Sequence, residues 1–568
     1  MAFDGIVTRA IVTELQNIIG SKIDKIYEPD KNTIILSLYL QGSHYSLNIC
    51  IDARNCRINL TNYSKINPLV APNFCMLLRK HLSGGRISNI SMLGLERLVQ
   101  IEIETINEFN EIEPKTLIIE LMGKHSNIIL VSQNNIVIDA MRRTDTNKNS
   151  YRNILPSHVY TLPNSDKLDF TALKNFDEFY SKIANRNIEL SKAISNTFTG
   201  FSLSFVEFAI QECGNLTINS SKEEFDKLYT YICNILNNTP NLSFKLIYKN
   251  NIVSDYVLTL NSNVESCSLN SFIDDFYFKR ETSETFINYR NSILKLILDI
   301  LKKYNNRLLS INSKLEECNN MDKYKLYGEL ITANLYRISD SHLSSIKLEN
   351  YYDNNNLINI PLDKKYSVSN NAKRYFKKYN KLKNALEICT KQKIDTENEL
   401  NYIESIIYEL ENAKDIHDID AIYTEISENT IFKDSFKEKN VKKKMITKTS
   451  LNPIEVNCNG YTILIGKNNI GNDYLTTKIA HQHDLWFHTK DIHGSHVILK
   501  LDNIEPNDDI IYKCAQIAAF HSKAKLSSKV PVDYCYVKYV KKPNKSKPGM
   551  VIYTHNKTLY VEPKNYFI

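Results

Sequence analysis

Glycine and proline are scarce in this 568-residue chain, at 15 and 14 residues, and Trp486 is its single tryptophan. No window approaches the roughly 18–20 uninterrupted apolar residues that a membrane helix needs, and the mean hydropathy is −0.34. The opening Met1-Ala2-Phe3-Asp4-Gly5 has no basic stretch followed by an apolar core. That predicts no secretory signal, no membrane partner and a cytoplasmic location. No two of the eleven cysteines form a C-x-x-C pair, and their odd number and scattered spacing argue against a disulfide framework and against structural zinc. A P-loop, a G-x-S-x-G elbow and a dinucleotide fingerprint are all missing. No nucleophile stands beside a credible base, so no hydrolytic or phosphoryl-transfer site is expected, and no catalytic residue, metal or cofactor is assigned.

What is present is ordinary in bulk and uneven in placement. Hydrophobic residues make up 42% and charged residues 24%, values of a globular protein, and the length suggests about three to five domains. The formal net charge is +7, yet residues 441–568 hold 19 Lys and Arg against 10 Asp and Glu, which leaves the rest slightly negative. A basic end on a near-neutral body points to a polyanion partner; simple solubility is the alternative.

The fold class expected is α+β and multidomain. Residues 1–165 alternate short helices (Arg9–Ile18, Pro72–Leu82) with β-type runs such as Ile34–Leu40, Tyr45–Ile51, Val99–Glu104 and Thr116–Leu121, the pattern of an antiparallel meander. Residues 166–280 carry helical patterns, with Thr199-Gly200-Phe201-Ser202 leading into Phe205–Cys213. Two helices about a glycine turn fit either a helix-hairpin-helix or ordinary packing. In residues 281–440 the spacing of Leu294, Ile297, Leu301, Tyr304, Leu308, Ile311 and Leu315 alternates three and four. A second seam runs from Tyr375 to Leu410, interrupted by polar Lys393 and Thr396. A 3.5-residue repeat predicts coiled coil. The insert between the seams contains Asn354-Asn355-Asn356 and Pro361, so an antiparallel hairpin is expected, either as a projecting arm or within a bundle. Residues 441–568 again mix strands and helices.

Five of thirteen histidines fall between His481 and His496, around Trp486. No three-ligand pattern accompanies them. The expectation is a polar surface for phosphate and base, with Trp486 as a stacking or anchoring group and His488, Lys490 and His496 beside it. Further on, Lys541, Lys542, Lys545 and Lys547 lie with two prolines and a glycine in one stretch. This reads as an extended loop that tracks a phosphate backbone by charge, or as a solvated loop.

Several longer motifs then resemble those of one family. They are Phe3-Asp4-Gly5, Gly94-Leu95-Glu96-Arg97, the run Tyr327–Tyr336, the run Asn371–Tyr379, and Asp484-Leu485-Trp486-Phe487-His488 followed by Gly494-Ser495-His496. In this order they resemble the NFACT family, whose bacterial members are called RqcH, with an older label of fibronectin-binding protein A, and whose animal counterpart is NEMF. The resemblance implies an NFACT-N domain (1–165) similar to the N-terminal domain of formamidopyrimidine-DNA glycosylases, a helix-hairpin-helix domain (166–280), a coiled-coil arm (281–440) and an NFACT-R domain (441–568). It implies binding to a large (50S) ribosomal subunit carrying stalled peptidyl-tRNA, with the arm at the rRNA of the stalk base. It also implies recruitment of alanyl-tRNA and template-free alanine tailing of the nascent chain. The tRNA-contact positions it implies are Asp4, Glu96 (where aspartate is usual) and Arg97. A surface adhesin for fibronectin and an RNA-binding scaffold without tailing are the other readings.

Overall fold

The structure is a computed structural model and describes residues 3–107, 109–145, 152–184, 186, 188–239, 242–249, 252–260, 268–338, 343–432, 452–458, 460–502, 505–544 and 546–566. The chain divides into two compact units, Met1–Ser283 and Glu284–Ile568.

In the first unit, helix α1 (Gly5–Leu15) precedes strands β1 (Lys22–Asp30), β2 (Thr33–Leu40), β3 (Ser43–Cys50) and β4 (Arg57–Leu60). Helix α2 (Asn73–Leu82) leads into β5 (Arg86–Met92), β6 (Leu98–Ile106), β7 (Ile112–Glu120), β8 (Asn127–Ser132) and β9 (Val137–Ala140). All nine strands form one antiparallel sheet in the order β4-β3-β2-β1-β5-β6-β7-β8-β9. Period-two burial sets the faces: in β6, Ile101 and Ile103 are buried while Glu102 and Glu104 are exposed. The expected meander is there, but β1, β4 and β5 were not foreseen. Their sequences are charged, and bulges in β1 between Ile23 and Lys25 and between Tyr27 and Asp30 break the alternation that would reveal it.

Helices α3 (Phe176–Ile183), α4 (Leu190–Thr197), α5 (Leu203–Glu212) and α6 (Lys222–Asn237) follow, then a hairpin of β10 (Ser243–Lys249) and β11 (Ile252–Thr259). Phe170, Phe179, Phe198 and Phe201 pack edge-on and stacked among them, with ring centroids 5.3–6.4 Å apart. Ser221 and Glu224 cap α6 reciprocally. Helix α7 (Leu269–Cys318) begins here, burying Leu269, Ile273 and Tyr277 in the first unit's core.

In the second unit α7 runs antiparallel to α9 (Val368–Asn412). Ile297 shares a core with Ile403, Arg307 lies 3.8 Å from Glu399, and Cys318 lines a groove with Cys389. The seam residues 294, 297, 301, 304, 308, 311 and 315 are buried or half-buried, and most positions between them are exposed. Thr396 sits on the opposing seam fully buried, its hydroxyl donating to the Gln392 carbonyl at 2.7 Å. That internal bond is what lets a polar residue occupy an apolar stripe. The insert folds as α8 (Met321–Ala333) and a hairpin of β12 (Ser345–Asn350) and β13 (Asn356–Pro361), turned by Asn354 and Asn355 at positive φ. Helix α10 (Ile416–Glu428) packs Ile419, Ile422 and Ile426 onto α9.

The last domain is a second antiparallel sheet of β14 (Ile454–Cys458), β15 (Tyr461–Ile465), β16 (Leu485–Thr489), β17 (Val497–Leu499), β18 (Val530–Tyr536) and β21 (Lys557–Val561). Its order is β14-β15-β17-β16-β18-β21, and β19 (Val540–Lys541) with β20 (Ile552–Tyr553) makes a separate pair. Helix α11 (Asn469–Tyr474) runs on into a π-turn through Ile479. Helix α12 (Asp508–Phe520) lays its small-residue face, Ala515, Ala518 and Ala519, against Leu485, Phe487 and Val497.

Candidate nucleic-acid interface

Three motifs that lie far apart in sequence meet at one place in the first unit. Asp4 caps α1: its Oδ1 accepts from the N–H groups of Ile6 and Val7 at 3.0 and 3.1 Å. Its Oδ2 accepts from the Ser202 hydroxyl at 2.7 Å and the Ser202 N–H at 3.3 Å. Next to it the Gly5 N–H donates to the Gly200 carbonyl at 2.7 Å. Gly200 has φ +79°, and a Cβ there would sit 2.3 Å from the Leu95 carbonyl oxygen. Gly94 has φ +53°, and its Cβ would meet the Asp169 carboxylate at 2.0 Å. At Gly200 the Leu95 backbone leaves no room for a side chain, so the Gly94–Arg97 turn presses against the α4–α5 turn only with glycine at 200, whereas a side chain at 94 would have to displace the Asp169 carboxylate.

The result is a cleft of about 400 Å³ walled by Asp4, Glu96, Arg97, Lys167, Thr199 and Ser202 among others. The structure thus brings Asp4, Glu96 and Arg97 together. Arg97 is half-buried, and its charge acts on Asp4. Asp4 is only 5% exposed and burial is the main cause raising its pKa, offset by the Ser202 and Val7 hydrogen bonds. Asp4 lines the cleft but does so as a buried structural acceptor. Both carboxylate oxygens are engaged by the chain's own donors, and the residue holds the cleft's walls together.

In the second unit, the expected stacking role of Trp486 is corrected. Its side chain is 0% exposed, against His488, His496 and Tyr553 with ring centroids 5.7, 5.3 and 4.8 Å away. β16 is a central strand whose two faces are both covered: Leu485 and Phe487 point to one core, Trp486 to the other. His496 is buried too, its Nδ1 2.7 Å from the Thr476 hydroxyl, and burial holds its pKa well below the usual value. An imidazole kept neutral this way offers no charge to phosphate. His488 is half-buried, pushed down to about 4 chiefly by desolvation.

His488 and His496 line a cavity of about 190 Å³ with Tyr402, Glu409, Asn468, Asn469 and Gly549. There the last domain meets α9 and α10. The Asn469 N–H donates to Glu409, its side-chain amide to Glu425 at 3.3 Å and to Ser405 at 3.2 Å, and the Tyr402 hydroxyl to Glu425 at 2.7 Å. Burial, then mutual repulsion of their charges, raises the Glu409 pKa; burial likewise raises that of Glu425.

The lysine stretch does not form a free cationic loop. Lys541 and Lys490 are exposed, but Lys542 pairs with Asp473 at 2.6 Å. Lys547 is corrected further: its ammonium lies 4.3 Å from the Tyr402 ring centroid, buried, and desolvation lowers its pKa. The loop folds back onto α9, where a cation–π contact replaces water. Lys545 lies outside the described residues.

A third basic feature is a groove of about 1430 Å³ between the end of α7 and the start of α9. It is lined by Lys314, Lys373, Arg374, Lys377, Lys378 and Lys381. Aromatic rings set two of these cations, with Arg374 4.1 Å from the Tyr366 ring and Lys378 4.1 Å from Tyr324. Below them Tyr375 packs on Tyr324 and Tyr327, which joins the run 327–336 to the run 371–379.

Family models match the chain almost end to end. The NFACT N-terminal and middle domains cover residues 4–445, and the NFACT protein RNA binding domain covers 454–554. The chain belongs to the NFACT family. It is 33% identical to the Rqc2 homolog RqcH of Bacillus subtilis, over 99% of this chain and 98% of that protein. The human ribosome quality control complex subunit NEMF is 23% identical over 59% of this chain and 33% of its own length. This NFACT chain is therefore a homologue of bacterial RqcH and animal NEMF. A solved fibrinogen binding protein from Staphylococcus aureus overlaps 49% of this chain and 99% of its own, at 26% identity and a TM-score of 0.42.

Within this NFACT chain, sequence reading missed Lys167 and Ser202 in the cleft and Glu409 and Asn469 at the cavity. Lys167 is a lone loop lysine and carries no local signal. The N-cap pattern at Ser202, one residue before α5, does carry one.

Proposed function

We propose that this chain is a ribosome-associated quality control factor. It binds the large ribosomal subunit that carries stalled peptidyl-tRNA, recruits alanyl-tRNA and directs template-free C-terminal alanine tailing of the nascent chain for degradation. The observation that carries this reading is the continuous likeness to RqcH along 99% of the chain. The local chemistry agrees with it. The Arg97 cleft offers a guanidinium, whose planar fork suits phosphate or a guanine edge, with Glu96 beside it to orient that fork or to accept from a base amino group. The cation-lined groove of the second unit suits a folded rRNA surface such as the stalk base, recognised by charge and shape. The antiparallel helices act as the arm that presents it, and the division 1–165, 166–280, 281–440 and 441–568 assigns the tRNA cleft to the first two domains. The protein makes no peptide bond itself; the ribosome's own centre supplies that step, and this protein positions the tRNA.

The test is Arg97→Ala in cells whose own copy is deleted, read by mass spectrometry of the C-termini of stalled nascent polypeptides. Alanine tails are expected to disappear while co-sedimentation with large subunits persists. Unchanged tails would remove the cleft assignment. Subunit binding by the parent protein with no tails of any kind would leave an RNA-binding scaffold instead.

A further inference from the structure

The β6–β7 hairpin ends in an apolar knob that the ribosomal function leaves unused. Ile106 and Ile112 are directly opposed across the strands and are each 70% exposed, and Phe109 at the turn is 83% exposed. These three are the kind of side chains a fold normally hides. The hairpin also projects past its neighbours. β5 pairs with β6 only as far as Glu104, and β8 pairs with β7 only from Lys115 onward. Between those limits the two strands pair with each other alone.

The tip is built to hold its shape. The Asn107 side-chain oxygen accepts from the N–H groups of Phe109 and Glu111 at 3.0 and 2.9 Å, and the Asn107 N–H donates to the Glu111 carbonyl at 2.9 Å. Asn110 closes the turn at φ +63°. Beneath it, the Lys115 ammonium is buried between the Thr105 hydroxyl at 3.0 Å and Glu113 at 2.7 Å.

Charge identifies the occupant. The residues Thr105–Lys115 contain three glutamates against one lysine, which pairs with Glu113, and Glu102 and Glu104 are exposed on the same strand below them, so the tip is net negative. Phosphate would be repelled, which disfavours RNA and anionic lipid alike. We infer that the Ile106–Phe109–Ile112 tip docks into an apolar pocket rimmed by lysine and arginine on a protein of the large ribosomal subunit. Proteins that coat RNA are basic because they neutralise phosphate, so a cationic rim is what such a surface supplies. The partner named here rests on the ribosomal function proposed for the whole protein.

The experiment uses the full-length protein with purified large subunits from the same organism. In one arm, Phe109 is replaced by the photo-crosslinker p-benzoyl-phenylalanine and the adduct is identified by mass spectrometry and by nuclease treatment. The expected adduct is with a basic ribosomal protein. Adducts with rRNA or with a second copy of this protein would overturn the inference. In the other arm, Phe109→Ala is expected to weaken co-sedimentation by about tenfold, the scale of a buried aromatic anchor. The slope of affinity against salt should stay unchanged, because no phosphate contact is lost. Because the side chain is exposed, the variant keeps its fold. Binding equal to the parent's would overturn the inference and leave the functional reading intact. A parent protein that ignored large subunits in low-salt buffer would sink the functional reading and this partner with it.

Discussion

Around Arg97 the buried polar groups answer one another, and around His488 several do not. Asp4 spends its two oxygens on four donors, and the surrounding backbone is fitted so closely that glycine is needed at 200. At the cavity, by contrast, Glu409 Oε2, Glu425 Oε2, Asn468 Nδ2, Trp486 Nε1 and Lys547 Nζ have no hydrogen-bond partner among the described residues. Each such group costs about 1–3 kcal/mol. The first place is held by close backbone packing and by one carboxylate whose acceptors are all used. The second is held by groups whose charge depends on the medium, so the last domain's seat on α9 should be the more responsive of the two.

The sharpest way to break this contrast is Gly200→Ala. The new Cβ meets a backbone oxygen and the residue must keep positive φ, so a loss of about 3 kcal/mol or more is expected in urea denaturation of the full-length protein. A variant as stable as the parent would mean that close backbone packing does not build the cleft. Asp4 comes next. Asp4→Ala removes a helix cap and strands the Ser202 donors, an expected loss of about 2–3 kcal/mol. Asp4→Asn keeps an acceptor toward α1 and should stay within about 1 kcal/mol by the same measurement. If the asparagine variant is stable yet fails to tail, the negative charge itself is required and a purely positioning role for Asp4 is wrong.

How much of this the sequence announced depends on how local each cause is. The α7 and α9 seams were legible because a 3.5-residue period is written into neighbouring residues, and even the polar break at Lys393 and Thr396 lies on the stripe. The convergence of residues 4, 96, 97 and 202 was not visible in composition or spacing. It depends on the β1–β5 junction that brings two meanders side by side, and β1 was hidden by its bulges. Trp486 was misplaced for a readable reason. Leu485-Trp486-Phe487 has no polar alternation, which is the mark of a strand covered on both faces. Lys542 and Lys547 were misread because their partners, Asp473 and Tyr402, are distant in sequence.

The smallest effect sharpens the other half of the contrast. Glu425 is pushed up to about 7 by burial, above its ordinary 4.5. A carboxyl that holds its proton more tightly when folded stabilises the fold most below its unfolded pKa, and that contribution is lost as pH rises through the folded value. His488, pushed down to about 4 from 6.5, acts the other way, and its share is lost as pH falls below 6.5. Protection of the 468–475 amides against hydrogen exchange should therefore be nearly level between about pH 4.5 and 6.5, where the two contributions offset each other, and fall by on the order of 0.5 kcal/mol toward pH 8. Glu425→Gln together with Glu409→Gln should remove the alkaline loss and leave the acid one. An alkaline limb that survives in the double variant would move its cause elsewhere.

Trp486 has one more consequence. As the protein's sole indole, sealed among two imidazoles and a phenol, it makes tryptophan emission, excited beyond the tyrosine absorption band, a private signal of one domain. A red shift on heating would time the opening of that core alone, and quenching by acrylamide would register its exposure without any label.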